Sequence, residues 1–351
     1  MLLYIHIPFC DSKCSYCAFN SYVDKFHLKK QYMQALQTQL AFEFKRFDVK
    51  QKSIESIFIG GGTPSTINPK LYQNLFETLK PYLQKDIEIT TEANPNSASL
   101  EWLCEMFDLG INRVSFGVQS FHNEKLKLLN RAHSSKQAIN AIENAHKVGF
   151  KNISLDLIYA TSLDTKELLL SDIQQAFSLP INHLSAYALT IEEGTPLQNT
   201  PQVAQEKLDL THFLFDEIQK NGFLQYEISN FGTYQSTHNK GYWQYKDYIG
   251  LGSGAVGKLQ NQRFYPTNYI ENYIANPLDI STEILSDEDI LIEKIFLGLR
   301  SNIGISQSIL PKQYLKQANI LLQENKLSLQ NNTFYNQDYL LADEMALFIT
   351  T

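Results

Sequence analysis

Short apolar runs of strand character recur along the first half of the chain, at residues 2–7, 54–59, 87–91, 113–117, 153–157 and 183–189. Between them the apolar positions fall at helical spacing instead. Leu71, Leu75, Phe76 and Leu79 form one such stripe, and Ala138, Ile142, Ala145 and His146 form another that stops at Gly149. A strand followed by a helix, repeated six times, is the pattern of an α/β fold, because each helix carries the chain back to start another parallel strand. The expected architecture is a parallel sheet curved into a partial (β/α)6 barrel.

After about residue 190 the alternation decays into polar sequence rich in Tyr and Asn, with a Gly-dense stretch at 250–254. From Ser286 onward, a helical segment with Ile290, Ile292, Ile295, Phe296 and Leu299 leads into further helical and strand-like pieces. The expected organisation is a barrel over 1–190, an accessory region over 191–285 and a small α+β, winged-helix-like unit over 286–351. No repeat or low-complexity linker separates these parts, so they are expected to pack closely.

The composition narrows the function classes. A chain of 351 residues with 43% apolar content buries a sizeable core. Thirty basic against 37 acidic residues, a net charge of −7, argues against broad binding to a phosphate backbone, so nucleic acid is not an expected partner. No apolar run approaches the ~20 residues that span a bilayer, and no basic leader precedes the first strand. The expectation is a cytoplasmic protein without a transmembrane segment, free to dock peripherally on a membrane-bound partner. Three of its four cysteines crowd into eight positions, which suits a metal centre in a reducing compartment better than a disulfide framework. The fourth, Cys104, lies in an amphipathic helical stretch and is expected to be a small buried hydrophobe.

In parallel α/β sheets the chemistry gathers at the C-terminal ends of the strands. Cys10 follows the first strand here, Gly60–Thr63 the second and Glu92 the third. Cys10, Cys14 and Cys17, spaced Cys-x3-Cys-x2-Cys, place three thiolates on one short loop, enough to hold three corners of a 4Fe-4S cluster and leave the fourth iron open. Zinc remains an alternative on spacing alone, although a structural zinc site wants four closed ligands. The three glycines leave room for backbone to approach a ligand, and Glu92 could bind ribose hydroxyls or an ammonium group. No catalytic residue is singled out.

The run Tyr4-Ile5-His6-Ile7-Pro8-Phe9-Cys10, followed by Cys14, Tyr16, Cys17 and Phe19, resembles the opening of radical S-adenosylmethionine (SAM) proteins, in the branch related to oxygen-independent coproporphyrinogen III oxidase. Further blocks match in order: Gly60-Gly61-Gly62-Thr63-Pro64-Ser65, Glu92-Ala93-Asn94-Pro95, Arg113 to Phe121, Asn130-Arg131-Ala132-His133 and Ser154 to Tyr159. The resemblance implies a 4Fe-4S cluster on Cys10, Cys14 and Cys17 whose open iron binds SAM, which is cleaved on one-electron reduction to methionine and a 5′-deoxyadenosyl radical. It implies cofactor contacts from Tyr4, Gly61, Gly62, Thr63 and Glu92, and from Gln119, Arg131 and Asp156, which in the oxidases contact SAM, including a second SAM molecule. Arg131 and Asp156 read equally well as a structural ion pair at the barrel mouth.

Where the oxidases carry one further cysteine after Cys17-Ala18, this chain has Phe19. Its blocks look more like the HemW group of oxidase-like proteins, which implies a haem chaperone that receives haem and delivers it to an apo-haemoprotein, with an electron donor protein serving the cluster. Tyr226 to Phe231 and His238-Asn239-Lys240-Gly241-Tyr242-Trp243 fit that group. The second matches a His-Asn-x-x-Tyr-Trp element associated with haem, making His238 a candidate iron ligand, against the alternative of a packed, hydrogen-bonded residue. The other classes carried are a coproporphyrinogen III oxidase and a radical SAM enzyme with another substrate. One departure stands out: the family's Gly-Leu-Pro turn after Asp156-Leu157-Ile158-Tyr159 is Ala160-Thr161-Ser162 here, so this loop's backbone is expected to be constrained differently.

Overall fold

The computed structural model describes all 351 residues. Six strands, β1 (Leu2–Ile7), β2 (Ile54–Gly61), β3 (Leu83–Ala93), β4 (Arg113–Gln119), β5 (Asn152–Tyr159) and β6 (His183–Ala188), lie side by side in sequence order and all parallel. Helices α1 (Lys29–Arg46), α2 (Gln73–Leu79), α3 (Leu100–Asp108), α4 (Asn123–Leu128), α5 (Ser135–Val148) and α6 (Lys166–Phe177) form the crossovers. One set of alternate strand residues, including Leu3, Ile5, Ile57, Ile59, Val114 and Leu155, joins the main apolar core with these helices. The opposite set is largely polar: in register from β3 to β6 lie Glu92, Ser115, Ser154 and His183. Such a surface is not the apolar filling of a closed barrel, and it provides the groups from which a site can be built.

Local signals set the helix ends. Ser134 and Gln137 form a reciprocal capping box at the start of α5, and Gly149, at φ +116°, ends that helix in the left-handed conformation that glycine adopts without strain. Cys104 departs from expectation. The buried stripe of α3 is Trp102, Leu103 and Met106, and Cys104 falls on the opposite side of the helix, where it is exposed.

Residues 191–285 add strands to both edges of the same sheet. After α7 (Leu208–Lys220), β7 (Leu224–Gln225) and β8 (Asn230–Gly232) continue it antiparallel beyond β6. Following α8 (Thr237–Trp243), β9 (Tyr248–Leu251) pairs with β1 as a seventh parallel strand that the hydrophobic pattern did not reveal. Strands β10 (Gly257–Leu259), β11 (Gln262–Pro266) and, after α9 (Ile270–Ala275), β12 (Ile280–Ile284) extend that edge antiparallel. The twelve strands run from β12 at one edge to β7 at the other, so the barrel is partial and open.

The last segment has its own apolar cluster around Ile295, Leu299, Phe334 and Met345. Its order is α10 (Asp287–Leu299), β13 (Ile305–Ser306), α11 (Lys312–Gln323), the hairpin β14 (Leu327–Gln330) and β15 (Thr333–Asn336), then α12 (Ala342–Thr350). The three strands form a separate antiparallel sheet, so this segment is an α+β arrangement. No helix is long and apolar enough to cross a membrane.

Candidate functional site

The cysteine loop is tied down from two directions. Its ends are zipped by Cys10 N–H to Tyr22 O (3.0 Å) and Tyr22 N–H to Pro8 O (2.8 Å). Its middle is held by the segment after α4, through Ser15 N–H to Leu129 O (3.2 Å) and Asn130 Nδ2 to Lys13 O (2.9 Å). A chain of side-chain hydrogen bonds then links two of the cysteines across the strand ends. Thr63 Oγ1 donates to Cys10 Sγ (3.3 Å), Asn94 Nδ2 to Thr63 Oγ1 (3.1 Å), Arg131 Nη2 to Asn94 Oδ1 (2.7 Å) and Arg131 Nη1 to Cys14 Sγ (3.1 Å). Asn94 is the middle of this chain; it lay within a recognised block without being singled out. Burial pushes the Cys10 and Cys17 thiols up, so loading iron there must displace protons. No three His, Cys, Asp or Glu side chains are placed to hold a single metal ion.

Above this loop lies a cavity of about 450 Å³. It gathers the three cysteines with Gly61, Gly62, Thr63 and Glu92, and with Gln119, Arg131 and Asp156. Residues from the ends of five strands thus meet in one place. The glycines are also demanded by the packing behind them: a Cβ on Gly61, which has φ +109°, would lie 2.5 Å from the His6 ring, and one on Gly62 would lie 2.9 Å from Ile7 O. Gly61 N–H donates to Glu92 Oε2 (3.1 Å).

The electrostatics of this cavity are unfinished. Burial, then the neighbouring Asp156, push the Glu92 carboxyl up to about 8. Burial also raises Asp156, which accepts a long hydrogen bond from Ser115 Oγ (3.4 Å). The Arg131–Asp156 ion pair considered from the sequence does not form, because the guanidinium is spent on Asn94, Cys14 and the Gly117 carbonyl (2.6 Å). Two buried polar atoms of lining residues, Gln119 Oε1 and Arg131 Nε, have no partner. Gln119 sits at φ +68°, at a register break between β4 and β5. Strain and unsatisfied groups at a strand end are what a ligand site stores. A cationic ligand with hydrogen-bonding groups of both kinds would complete it.

A buried ion network supports the rim. Lys125 Nζ contacts Asp164 (2.6 Å) and Asp172 (4.0 Å), and Asp172 accepts from Ser120 Oγ (2.8 Å) and Phe121 N–H (2.6 Å), tying α4 to the loops after β4 and β5. Nothing in the sequence signalled it, since its members lie up to 52 positions apart. The altered turn after β5 keeps a left-handed backbone: Ala160 has φ +61° where the resemblance led to glycine, held by Gln205 N–H to Ala160 O (2.8 Å) and Thr161 N–H to Asp164 Oδ2 (2.8 Å).

Tyr4 and His238 lie elsewhere. They line a second cavity of about 770 Å³, which shares Ala18 and Phe19 with the first. His238 is fully buried; its Nδ1 is hydrogen-bonded to Ser56 Oγ (2.8 Å) and its Nε2 to Tyr242 Oη (3.0 Å). Burial, reinforced by Arg113, lowers its pKa to about 3, so the ring is neutral. With both nitrogens engaged, the imidazole presents no free lone pair to a metal.

Residues 4–169 match the radical SAM superfamily. The haem chaperone HemW of Lactococcus lactis is 35% identical over 86% of this chain and 82% of its own length. HemW of Bacillus subtilis is 32% identical over 89% and 86%, and HemW of Escherichia coli 38% over 73% and 70%. The chain belongs to the HemW family. The fold of this HemW-family chain is that of the coproporphyrinogen III oxidase (HemN) of Escherichia coli, with a TM-score of 0.82, 21% identity, and coverage of 100% of this chain and 90% of that one. As a radical SAM fold it implies a 4Fe-4S cluster and SAM, and the donor set fits both: three thiols on one loop, and beside them two carboxylates and two unpartnered polar atoms.

Proposed function

We propose that the chain is a haem chaperone that binds haem and passes it to apo-haemoproteins, with a SAM-bound 4Fe-4S cluster in a supporting role. The observation that carries this reading is likeness to HemW chaperones over most of the chain. The cysteine loop agrees with it: Phe19, 65% exposed, occupies the position of the oxidases' further cysteine.

In this reading Cys10, Cys14 and Cys17 hold the cluster, which supplies one-electron chemistry to SAM. Gly61, Gly62 and Thr63 face the methionyl end of SAM, and Glu92 and Asp156 neutralise its positive groups. Gln119 and Arg131 complete their hydrogen bonding on its polar atoms. Partners are the recipient apo-haemoprotein and an electron donor protein, in the cytoplasm.

The test is an anaerobic titration of the cluster-reconstituted protein with ferric haem, followed by transfer to an apo-haemoprotein. Saturable binding and transfer are expected. Absence of both, or sustained consumption of coproporphyrinogen III with SAM and reductant, overturns the reading.

A further inference from the structure

The larger cavity takes no part in the cluster site, yet it adjoins it through Ala18 and Phe19. We propose that this groove, between strands β1, β2 and β9 of the sheet and α10, is the haem site, and that Lys246 and Arg263 in its lining bind the propionates. The assignment rests on the haem-chaperone reading above and gives it a place and a specificity.

One wall is a continuous aromatic belt drawn from four elements. Tyr4 stacks on Phe58 (centroids 6.3 Å, 27° between planes), Phe58 lies 5.3 Å from the His238 ring, and His238 meets Tyr242 edge-on at 4.8 Å. Tyr242 meets Tyr248 edge-on at 4.8 Å. Phe296 and Leu297 of α10 supply further apolar lining. A slot of about 770 Å³ between aromatic and aliphatic faces suits a flat macrocycle, and it falls in the range of cofactor sites.

Charge selects among flat ligands. Three cationic side chains, Lys246, Lys258 and Arg263, line the groove against a single carboxylate, Glu293. Lys258 is buried and committed to Asp247 (2.9 Å). Lys246 pairs with Glu55 (2.5 Å) and Arg263 with Glu293 (2.5 Å), carboxylates that keep 29% and 28% of their side-chain surface exposed. Glu55 is also held by the N-terminal ammonium (2.5 Å) and Glu293 by Tyr245 Oη (2.6 Å), so each keeps a partner when a ligand carboxylate takes its cation. A dianionic macrocycle can exchange onto both cations, and an uncharged one gains nothing from them.

His238 then has a different task from the one its motif suggests. Its two hydrogen bonds fix Tyr242 against Ser56, making it a positioning residue for the wall.

The test compares ferric haem with haem dimethyl ester, in which the propionates are esterified, on the full chain with its cluster reconstituted anaerobically. Wild type is expected to bind haem at least tenfold more tightly than the ester. The Lys246→Gln/Arg263→Gln variant should bind the two alike, with unchanged cluster absorption. A second variant, Val256→Trp, narrows the slot without altering charge and should weaken both ligands at least tenfold. If wild type binds haem but does not distinguish the ester, or the double variant keeps the full preference, the site falls while the chaperone reading stands. If wild type binds no haem, both fall.

Discussion

The two ends of the sheet's polar face use similar residues to opposite effect. At the N-terminal end, Glu88 accepts from Tyr234 Oη (2.6 Å), Thr237 N–H (2.8 Å), His238 N–H (3.0 Å) and Ser236 Oγ (3.3 Å). His183 is likewise held between Ser154 Oγ (2.7 Å) and Tyr226 Oη (2.7 Å). At the C-terminal end, Glu92 and Asp156 face a cavity without an ion-pair partner, Gln119 and Arg131 have unpartnered atoms, and Gln119 and Ala160 occupy left-handed backbone. Buried polar groups that satisfy one another hold the fold, while those left open beside a cavity await a ligand. Residue type does not distinguish the two classes; an adjoining cavity does, since Arg113 Nε and Asn230 Oδ1 at the N-terminal end also lack partners but line neither cavity.

The largest effect should come from the open end. Replacing Cys10, Cys14 and Cys17 together with Ala should abolish the iron–sulfur absorption of the reconstituted protein, and retention of a full complement of cluster iron would break the assignment. Next comes the closed end. Glu88→Ala strands two backbone N–H groups and two hydroxyls, and should cost about 3 kcal/mol or more in urea unfolding, with SAM affinity of the folded protein unchanged. His238→Ala leaves the Ser56 and Tyr242 hydroxyls unpaired and should cost roughly 2–3 kcal/mol. If it shifted the absorption maximum of bound ferric haem as loss of an iron ligand does, the positioning role would fail.

The pH dependence sharpens the contrast. Glu92 holds its proton up to about 8 when folded, above the ordinary carboxylate value, so the folded state binds that proton more tightly than the unfolded chain. This contribution is full at acid pH below the unfolded value and is lost as pH rises through the folded one. Stability of the ligand-free protein should therefore fall across that interval, by on the order of 1–3 kcal/mol after screening by cavity water, and Glu92→Gln should flatten the slope. SAM binding should change oppositely, strengthening as the carboxylate ionises; a pH-independent SAM affinity would count against the contact. The smallest effect is at Ala160, where glycine removes a left-handed strain. Ala160→Gly should raise stability by about 0.5–1 kcal/mol, measured by thermal unfolding.

Much of this was legible along the chain. The strand and helix periods placed all six central strands, and the blocks at their ends named the lining of the smaller cavity. Strand β9 escaped notice because its four residues, Tyr248–Leu251, are too short for a period and run into glycines needed for close packing: a Cβ on Gly250 would lie 2.0 Å from Val256 O. Cys104 misled for the opposite reason. Its apolar neighbours are buried, but one helical step turns it to solvent.

The sequence by itself determined the parallel sheet, the placement of chemistry at its C-terminal edge and the three cysteines on one loop, because periodicity and short spacings are local properties. Only the tertiary structure decided how the polar groups are used. His238 finds Ser56 across 182 positions, and Arg131 finds Cys14 across 117, in place of Asp156. Whether a buried group is satisfied or waiting depends on residues that the chain brings together only by folding.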